Sequence, residues 1–286
     1  MQYLDTDIDN YLEPLVANGF PPSSVRTREF AHNFDSYRDS VVHFSDMSPT
    51  LIQEKQRLIK EFPEGTFDQS TLSAADDEWF RDYIVENFVP DYIEQNMGTA
   101  IPTLQTLCDV ILPCDLAILR RNDDGTSIDF VHLAFPNGWS AEEAIGKPFS
   151  YFHEHVTNPV TDRAIVPSNP KFTDHLIDSG KTYERVGAIT IYPHCRFNRH
   201  PTAIEKEPWP HVFKEDIYIR FERQTIVSVP EMESFLFFIH TNIVDFRARP
   251  KLIYDALLKT TPEYRYYEDT VGPNFDHFLT YLQRYM

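Results

Sequence analysis

The sequence predicts an α+β protein whose core is a five-stranded antiparallel β-sheet with short helices. Two β-rich runs flank Asn122-Asp123-Asp124-Gly125-Thr126, a composition that is typical of a hairpin turn. Several short helices follow, and three further β-rich runs then occupy residues 183–192, 215–229 and 234–246. Two strands, short helices and three strands form an order that favours one antiparallel sheet.

The N-terminal part has a helical pattern. Between Thr50 and Phe62, apolar residues at positions 51, 52, 58, 59 and 62 fall on one helix face. Ser73 can cap a second helix, since it is followed by an acidic first turn and then by regularly spaced aromatic residues. We therefore expect residues 1–100 to form a helical extension in front of the sheet.

The strands of the predicted sheet begin after Pro102. Val110-Ile111-Leu112 and Leu116-Ala117-Ile118-Leu119 are strand-like, and Ile128 to Phe135 forms the partner across the hairpin. Ser140, with a Glu three residues later, predicts a capping box at a short helix. Phe235-Leu236-Phe237-Phe238-Ile239 is apolar on both faces, which indicates a covered central strand.

The chain divides into three predicted parts. Residues 1–100 are the N-terminal helical extension, residues 101–249 hold the sheet, and residues 250–286 form a C-terminal helical segment. The order of strands and short helices is that of a PAS domain, so we predict a PAS-like core.

Composition excludes several classes of protein. With 42% hydrophobic residues, 22 Phe and 15 Tyr in 286 residues, the chain can fold around a bulky apolar core. A formal charge of −18 disfavours binding to nucleic acid or to an anionic membrane. No apolar run is long enough to span a membrane, and no secretory signal is visible. The three cysteines form no C-x-x-C pair, so a reducing cytoplasm is the expected location.

The run from Ile219 to Val227 is the most informative strand, because four of its residues are charged or amide-bearing. Period-two alternation places Arg220, Glu222 and Gln224 on one face and Arg223 on the other, among apolar neighbours. An arginine on a core face needs a carboxylate or a polar ligand to offset its desolvation. A salt-bridged sheet surface is the alternative interpretation.

A pair of histidines, His153 and His155, ends an aromatic-rich segment. Zinc would need further ligands, and none stands at a recognisable spacing. Haem needs only one axial imidazole and a large apolar pocket. The alternative is structural, with one histidine capping a helix and the other exposed.

A second cluster, His194 to His200, contains Cys195, Arg196 and Arg199. Adjacent Cys and His side chains on a strand point to opposite faces, which argues against a cysteine nucleophile. Cys195 as a thiolate ligand of haem stays open, as does pairing of the two arginines with anions such as haem propionates. A solvated loop after Pro193 is the remaining interpretation.

Several short elements occur in a characteristic order. They are Leu133-Ala134-Phe135-Pro136-Asn137-Gly138-Trp139, then Ile145-Gly146-Lys147-Pro148 and Phe152-His153, then Arg196-Phe197-Asn198, then Arg220-Phe221-Glu222-Arg223-Gln224-Thr225 with Val229-Pro230. This series resembles the haem-dependent oxidative N-demethylase alpha-subunit family over roughly residues 45–250. Three elements depart from the family pattern: Arg199 replaces a Trp, His240 replaces an Arg, and His155-Val156-Thr157 replaces Pro-Val-Pro.

The resemblance implies a PAS-like fold that binds haem b and uses O2 to oxidise a small secondary amine. Electrons would come from NADPH through a reductase with flavin and iron–sulfur (ferredoxin-type) components. His153 would be the axial iron ligand, with His155 as its close rival, and Arg196 and Gln224 would line the haem or substrate side. Glu222, holding a cationic amine, and Arg223, balancing negative charge, would be the catalytic side chains.

Two other functions stay open at this point. A haem-binding PAS-type sensor or accessory subunit needs the same pocket without turnover, and a degenerate homologue needs no cofactor. Alternation also separates the two predicted catalytic residues, because Glu222 and Arg223 can line one pocket only if a bulge intervenes. Its apolar neighbours favour Arg223 as the one that does.

Overall fold

The computed structural model describes residues 49–62, 68–89, 101–136, 139–149, 151, 169–192, 218–245, 247, 249–259 and 275–286. The α-helices in these ranges are α1 (Pro49–Glu61), α2 (Ala74–Phe88), α3 (Leu104–Val110), α4 (Ala141–Ala144), α5 (Asn169–Asp178), α6 (Pro250–Lys259) and α7 (Phe275–Leu282). The strands are β1 (Asp68–Ser70), β2 (Asp115–Asn122), β3 (Gly125–His132), β4 (Thr182–Tyr192), β5 (Tyr218–Val229) and β6 (Ser234–Asp245).

The described strands form one open sheet in the order β1-β3-β2-β6-β5-β4, and all neighbouring pairs are antiparallel. The prediction of an antiparallel α+β sheet is confirmed, but the sheet has six strands where the sequence predicts five. The additional strand, β1, pairs with β3 inside the range predicted to be helical. Three residues are too few to give a period-two signal, which is why the pattern missed it.

The predicted strand at Val110-Ile111-Leu112 is wrong, because these residues end α3 and follow it. Thr103 caps this helix by accepting a hydrogen bond from the Thr106 N–H at 3.1 Å. Leu104, Leu107 and Cys108 are buried at helical spacing. A short apolar run is compatible with either a strand or a helix, and here the N-terminal cap and the buried face decide for the helix.

The hairpin turn is confirmed. Asn122 and Gly125 face each other at the ends of β2 and β3, with Asp123 and Asp124 between them. Gly125 has a φ of 126°, a left-handed region in which an L side chain is strained. A Gly is therefore required at this position of the turn.

Both faces of the sheet are covered by helices. Side chains of β2, β3, β5 and β6 pack with α4 and α5 on one face, which we call the α4–α5 face. A second set of strand residues packs with α2 and α3 on the opposite face, here the α2–α3 face. Neighbouring residues alternate between the two: Ile226 and Phe237 lie on the first face, and Val227 and Phe238 on the second.

Strand β6 is central, as its apolar run predicts, since it pairs with β2 on one side and β5 on the other. The register between β5 and β6 is unbroken from Tyr218 opposite Asp245 to Val229 opposite Ser234. The irregularity at this end of the sheet lies in β4, between Gly187 and Thr190. Because β5 keeps its alternation against β6, consecutive β5 side chains point to opposite faces.

The two predicted serine caps have different outcomes. Ser73 accepts a hydrogen bond from the Asp76 N–H at 3.2 Å and caps α2, as predicted. Ser140 precedes α4, but its side chain makes no capping hydrogen bond, so the predicted capping box is wrong. In the part of the chain that the structure describes, no helix is long and apolar enough to cross a membrane.

Candidate functional site

Three polar side chains lie in the middle of β5, on the α4–α5 face. Arg220 is completely buried, and Glu222 and Gln224 are exposed by only 6% and 7%. Glu222 Oε1 accepts a hydrogen bond from Arg220 Nη1 at 2.6 Å, and Oε2 accepts one from Gln224 Nε2 at 2.8 Å. Both donors are two residues away on the same strand, so alternation brings all three together. The Glu222 carboxylate is thereby held in one orientation.

Arg220 also connects this carboxylate to the loop after β3. Its Nη2 donates to the Phe135 carbonyl oxygen at 2.7 Å and to Thr241 Oγ1 on β6 at 3.1 Å. A planar guanidinium has five N–H donors in a fixed fork, so one side chain can bind three partners at once. Arg220 is therefore the hub between strand β5, strand β6 and the loop.

Asp115, the first residue of β2, holds the same loop from the other side. Its Oδ1 accepts from the Ala134 N–H at 2.7 Å, and its Oδ2 accepts from the Phe135 N–H at 3.0 Å. Burial raises the pKa of Asp115 to about 6, and the positive charges of Lys55 and Arg220 oppose that rise together with the backbone N–H groups. Phe135 is consequently fixed at its N–H by Asp115 and at its carbonyl by Arg220.

Lys55 reaches this region from α1. Its side chain is completely buried, and Nζ donates to the carbonyl oxygens of Cys114 at 2.8 Å and Leu112 at 3.2 Å. A buried ammonium needs such acceptors and a counter-charge, which the neighbouring Asp115 supplies. We call Lys55, Asp115, Arg220, Glu222, Gln224 and Thr241 the polar belt.

The polar belt lies between two apolar clusters. Along β5 it is followed by Ile226, which belongs to the cluster under α4 and α5. In the other direction Ile243 on β6, opposite Arg220, belongs to a cluster with Phe135 and with Leu51 and Leu58 of α1. The belt therefore places two formal cations and two carboxylates inside an otherwise apolar core.

The opposite face of β5 has a different arrangement. Arg223 points to the α2–α3 face, where its cross-strand neighbour in β6 is His240, and both side chains are half-buried. His132, completely buried on the same face, contacts Asp109, with 2.8 Å between Nε2 and Oδ1. Burial lowers the pKa of His132 to about 4, and the Asp109 contact offsets this only in part, so the imidazole is neutral at neutral pH.

The structure brings together two of the predicted site residues and separates a third. Glu222 and Gln224 are hydrogen-bonded partners, and Arg223 lies on the other face of the sheet. No bulge in β5 relative to β6 brings Arg223 round to the Glu222 side. His153, His155 and Arg196 lie outside the described residues, as do Cys195 and Arg199.

Four residues of the polar belt were missed by the sequence reasoning, namely Lys55, Asp115, Arg220 and Thr241. Arg220, which the alternation put on the polar face, is the most deeply buried arginine of the strand. Lys55 lies four residues after Leu51 and three before Leu58, so helical spacing does place it on the apolar face of α1. Asp115 shares a face with Ala117 and Leu119. For Lys55 and Asp115 the sequence did contain a signal, because the helix or strand period places each charged residue on an otherwise apolar face.

Among the described residues, this region contains neither a metal site nor a reactive thiol. Within the described ranges, no three His, Cys, Asp or Glu side chains cluster as a metal site would require. Cys108 and Cys114 are free and buried, and burial raises the pKa of the Cys114 thiol to about 12. Such thiols are protonated and unreactive at neutral pH.

Comparison with known protein families decides the family of the chain. The model of one family, described as haem-dependent oxidative N-demethylase, alpha subunit-like, matches residues 45–263, about three quarters of the sequence. The chain belongs to this family. The predicted resemblance is thus confirmed, and the matched range of the alpha subunit-like family includes every residue of the polar belt. No curated protein matches the chain.

Proposed function

We propose that this protein binds haem b and, with O2 and electrons from a partner reductase, oxidises a small amine in an oxidative N-demethylation reaction. The family match over residues 45–263 carries the proposal, because the family description names haem dependence and N-demethylation. When bound, the haem supplies the O2 chemistry. The residues of this chain supply the pocket, its polarity and the orientation of the amine.

The aromatic side chains of the α4–α5 face support the haem-binding part of the proposal. Haem b needs one axial imidazole and a large apolar surface, and Phe149 packs there edge-to-face on Phe235 and Phe237, with ring centroids 5.7 and 5.8 Å apart. Tyr151 belongs to the same buried cluster. His153 is only two residues further along the chain. This closeness in sequence supports His153 as the axial ligand, and His155 remains its rival.

The connectivity of the sheet supports a PAS-like core over residues 101–249. Two strands, then the helices α4 and α5, then three strands follow one another in the chain, as the PAS-like prediction requires. The short strand β1 is an addition at the β3 edge. The N-terminal and C-terminal segments that flank this core stay as predicted extensions.

Of the two predicted catalytic residues, Glu222 is the one that we propose binds the amine. A carboxylate has about four lone-pair sites, and Arg220 and Gln224 occupy two of those on Glu222. The remaining sites can accept hydrogen bonds from an ammonium group. Arg223, on the other face, acts apart from this amine, and Arg196 remains the predicted partner of a haem propionate.

The name alpha subunit also supports a partner protein. We propose a reductase that delivers electrons from NADPH through flavin and an iron–sulfur centre. A cytoplasmic location fits the free thiols of Cys108 and Cys114.

The visible spectrum of the purified protein tests the proposal. We expect a Soret band that His153→Ala abolishes and His155→Ala retains, since one imidazole ligates the iron. Loss of the band in His155→Ala alone would transfer the ligand to His155. Consumption of NADPH with small amines and a surrogate reductase then separates an enzyme from a sensor or accessory subunit.

One observation favours a second candidate, a cofactor-free homologue. Each Glu222 oxygen already has a donor within the chain, as in a purely structural network. A protein that stays colourless after haem is added would establish this alternative and would refute the haem-binding proposal.

A further inference from the structure

We propose that Arg220 is a positioning residue, which offsets the negative charge of the buried Glu222 carboxylate and fixes that carboxylate relative to the loop that begins at Phe135. This inference rests on the proposed function, because it assigns the group that prepares Glu222 for a cationic amine. Glu222 would touch the amine, and Arg220 would act only through Glu222.

Both members of the Arg220–Glu222 pair are buried. Glu222 is exposed by 6% and Arg220 by none of its surface, and the charged atoms are 2.6 Å apart. A carboxylate in such surroundings stays charged only if an adjacent cation offsets its desolvation. Asp115 on β2 and Lys55 on α1 are the other charged groups of the polar belt, and Lys55 donates its hydrogen bonds to the carbonyls of Leu112 and Cys114. Arg220 is therefore the cation that directly contacts Glu222.

Hydrogen bonds to three segments hold the Arg220 guanidinium in one orientation. Arg220 binds Glu222 through Nη1 and both Phe135 and Thr241 through Nη2. Three partners on three separate segments fix the guanidinium plane, and the plane fixes the carboxylate. The Phe135 N–H is bound by Asp115, so the loop cannot shift without breaking contacts on both sides. A lysine in place of Arg220 would keep the charge but lose the fork.

Infrared spectra of the purified protein test the ionisation without haem or amine. We expect Arg220→Met to show a stronger absorption of protonated carboxyl groups at pH 7 than the wild type, and we expect part of this gain to be lost in the double variant Arg220→Met with Glu222→Gln. The part that remains in the double variant comes from Asp115, because Arg220 also lowers the pKa of that carboxyl group. Arg223→Met is the matched control, since it removes an arginine from the same strand but from the other face, and its absorption should equal that of the wild type. Equal absorption in Arg220→Met and in the double variant would overturn the role of Arg220 in offsetting the Glu222 charge.

Titration with dimethylamine, the smallest secondary amine, tests the positioning. In Arg220→Met the pH needed for half-maximal binding should rise by about 1–3 units, because an adjacent arginine favours the charged carboxylate by that amount. In Arg220→Lys the pH dependence should be unchanged, with binding about tenfold weaker through lost hydrogen bonds. Wild-type affinity in Arg220→Lys would overturn the orienting role, and if Arg220→Met fails to fold this variant alone decides.

The two hypotheses fail in different ways. If the wild-type protein binds neither haem nor amine, the proposed function is wrong, and the infrared comparison still decides whether Arg220 offsets the Glu222 charge. If amine binds and Arg220→Met behaves like wild type in both measurements, the inference about Arg220 is wrong and the proposed function stands.

Discussion

The two faces of β5 each carry an arginine, and their surroundings differ. Arg220, on the α4–α5 face, is completely buried among a carboxylate, a carbonyl and a hydroxyl. Arg223, on the α2–α3 face, is half-buried beside His240. Apolar neighbours in the sequence pointed to Arg223 as the buried arginine. The comparison teaches that partners on other segments, and not the apolar neighbours on the strand, determine where a charge can be buried.

The same contrast holds for the titrating groups. On the α4–α5 face Asp115 is buried with two cations nearby, and its pKa is raised to about 6. On the α2–α3 face His132 is buried beside the Asp109 carboxylate, and desolvation together with the positive charge of Lys55 lowers its pKa to about 4. In each case desolvation outweighs the favourable charge. The folded state therefore favours the uncharged form of both groups. Asp115 loses its uncharged form as the pH rises, and His132 loses its uncharged form as the pH falls.

The largest expected effect separates the two arginines. Arg220→Met should lower the free energy of unfolding by about 3–5 kcal/mol, because it leaves the Glu222 carboxylate buried without its cation. Arg223→Met should cost about 1 kcal/mol, since that side chain is partly solvated. Urea denaturation at neutral pH measures both values.

A double variant identifies the cause of that loss. Replacing Arg220 by Met together with Glu222 by Leu should regain most of the stability, because a buried ion pair exchanged for apolar groups is often neutral. Equal losses for the two single arginine variants would contradict the distinction between the faces.

The next largest expected effect is the pH dependence of the free energy of unfolding, to which one buried group on each face contributes. Asp115 binds a proton in the folded state up to about pH 6 but in the unfolded state only up to its ordinary value of 3.8, so its contribution falls as pH rises through this interval. His132 has the opposite sign: the unfolded chain binds a proton below 6.5 and the folded state only below about 4, so its contribution rises with pH. Each is worth on the order of 3 kcal/mol.

Variants expose the two opposing slopes. Between pH 4 and 6, Asp115→Asn should make stability rise more steeply with pH than in the wild type, since only the His132 contribution remains of the two. His132→Gln, which can still donate to Asp109, should make it rise less or fall. Denaturant titrations at several pH values measure the slopes. A pH dependence that neither substitution alters would show that the two groups titrate alike in the folded and unfolded chain.

Much of the sheet could be predicted because its signals are local. The turn at Asp123-Asp124 and the apolar run from Phe235 to Ile239 each depend on a few neighbouring residues, and both predictions are confirmed. Strand β1 could not be found, since its three residues are defined by pairing with β3 and not by a pattern of their own. The run at Val110 fits both a strand and a helix until the Thr103 cap is known.

The site could be predicted only in part, for a related reason. Alternation correctly grouped Glu222 with Gln224 and set Arg223 apart. The contacts that make Arg220 the hub come from Phe135, 85 residues away in sequence, and from Thr241, 21 residues away. Lys55 of α1 donates a hydrogen bond to Leu112, which lies between α3 and β2, 57 residues further along the chain. Such long-range partners leave no periodic trace in the sequence.

The smallest expected effect compares the serines that precede a helix on each face. Ser73 caps α2 on the α2–α3 face with a hydrogen bond to the Asp76 N–H, so Ser73→Ala should cost about 1 kcal/mol. Ser140 precedes α4 on the α4–α5 face, and among the described residues its buried Oγ has no hydrogen-bond partner. A buried hydroxyl without a partner is destabilising, so Ser140→Ala should cost nothing or stabilise slightly. Thermal unfolding of the two variants under identical conditions measures the difference. A clear loss in Ser140→Ala would show that this hydroxyl does have a partner, and the sequence-based capping box at α4 would then need to be reconsidered.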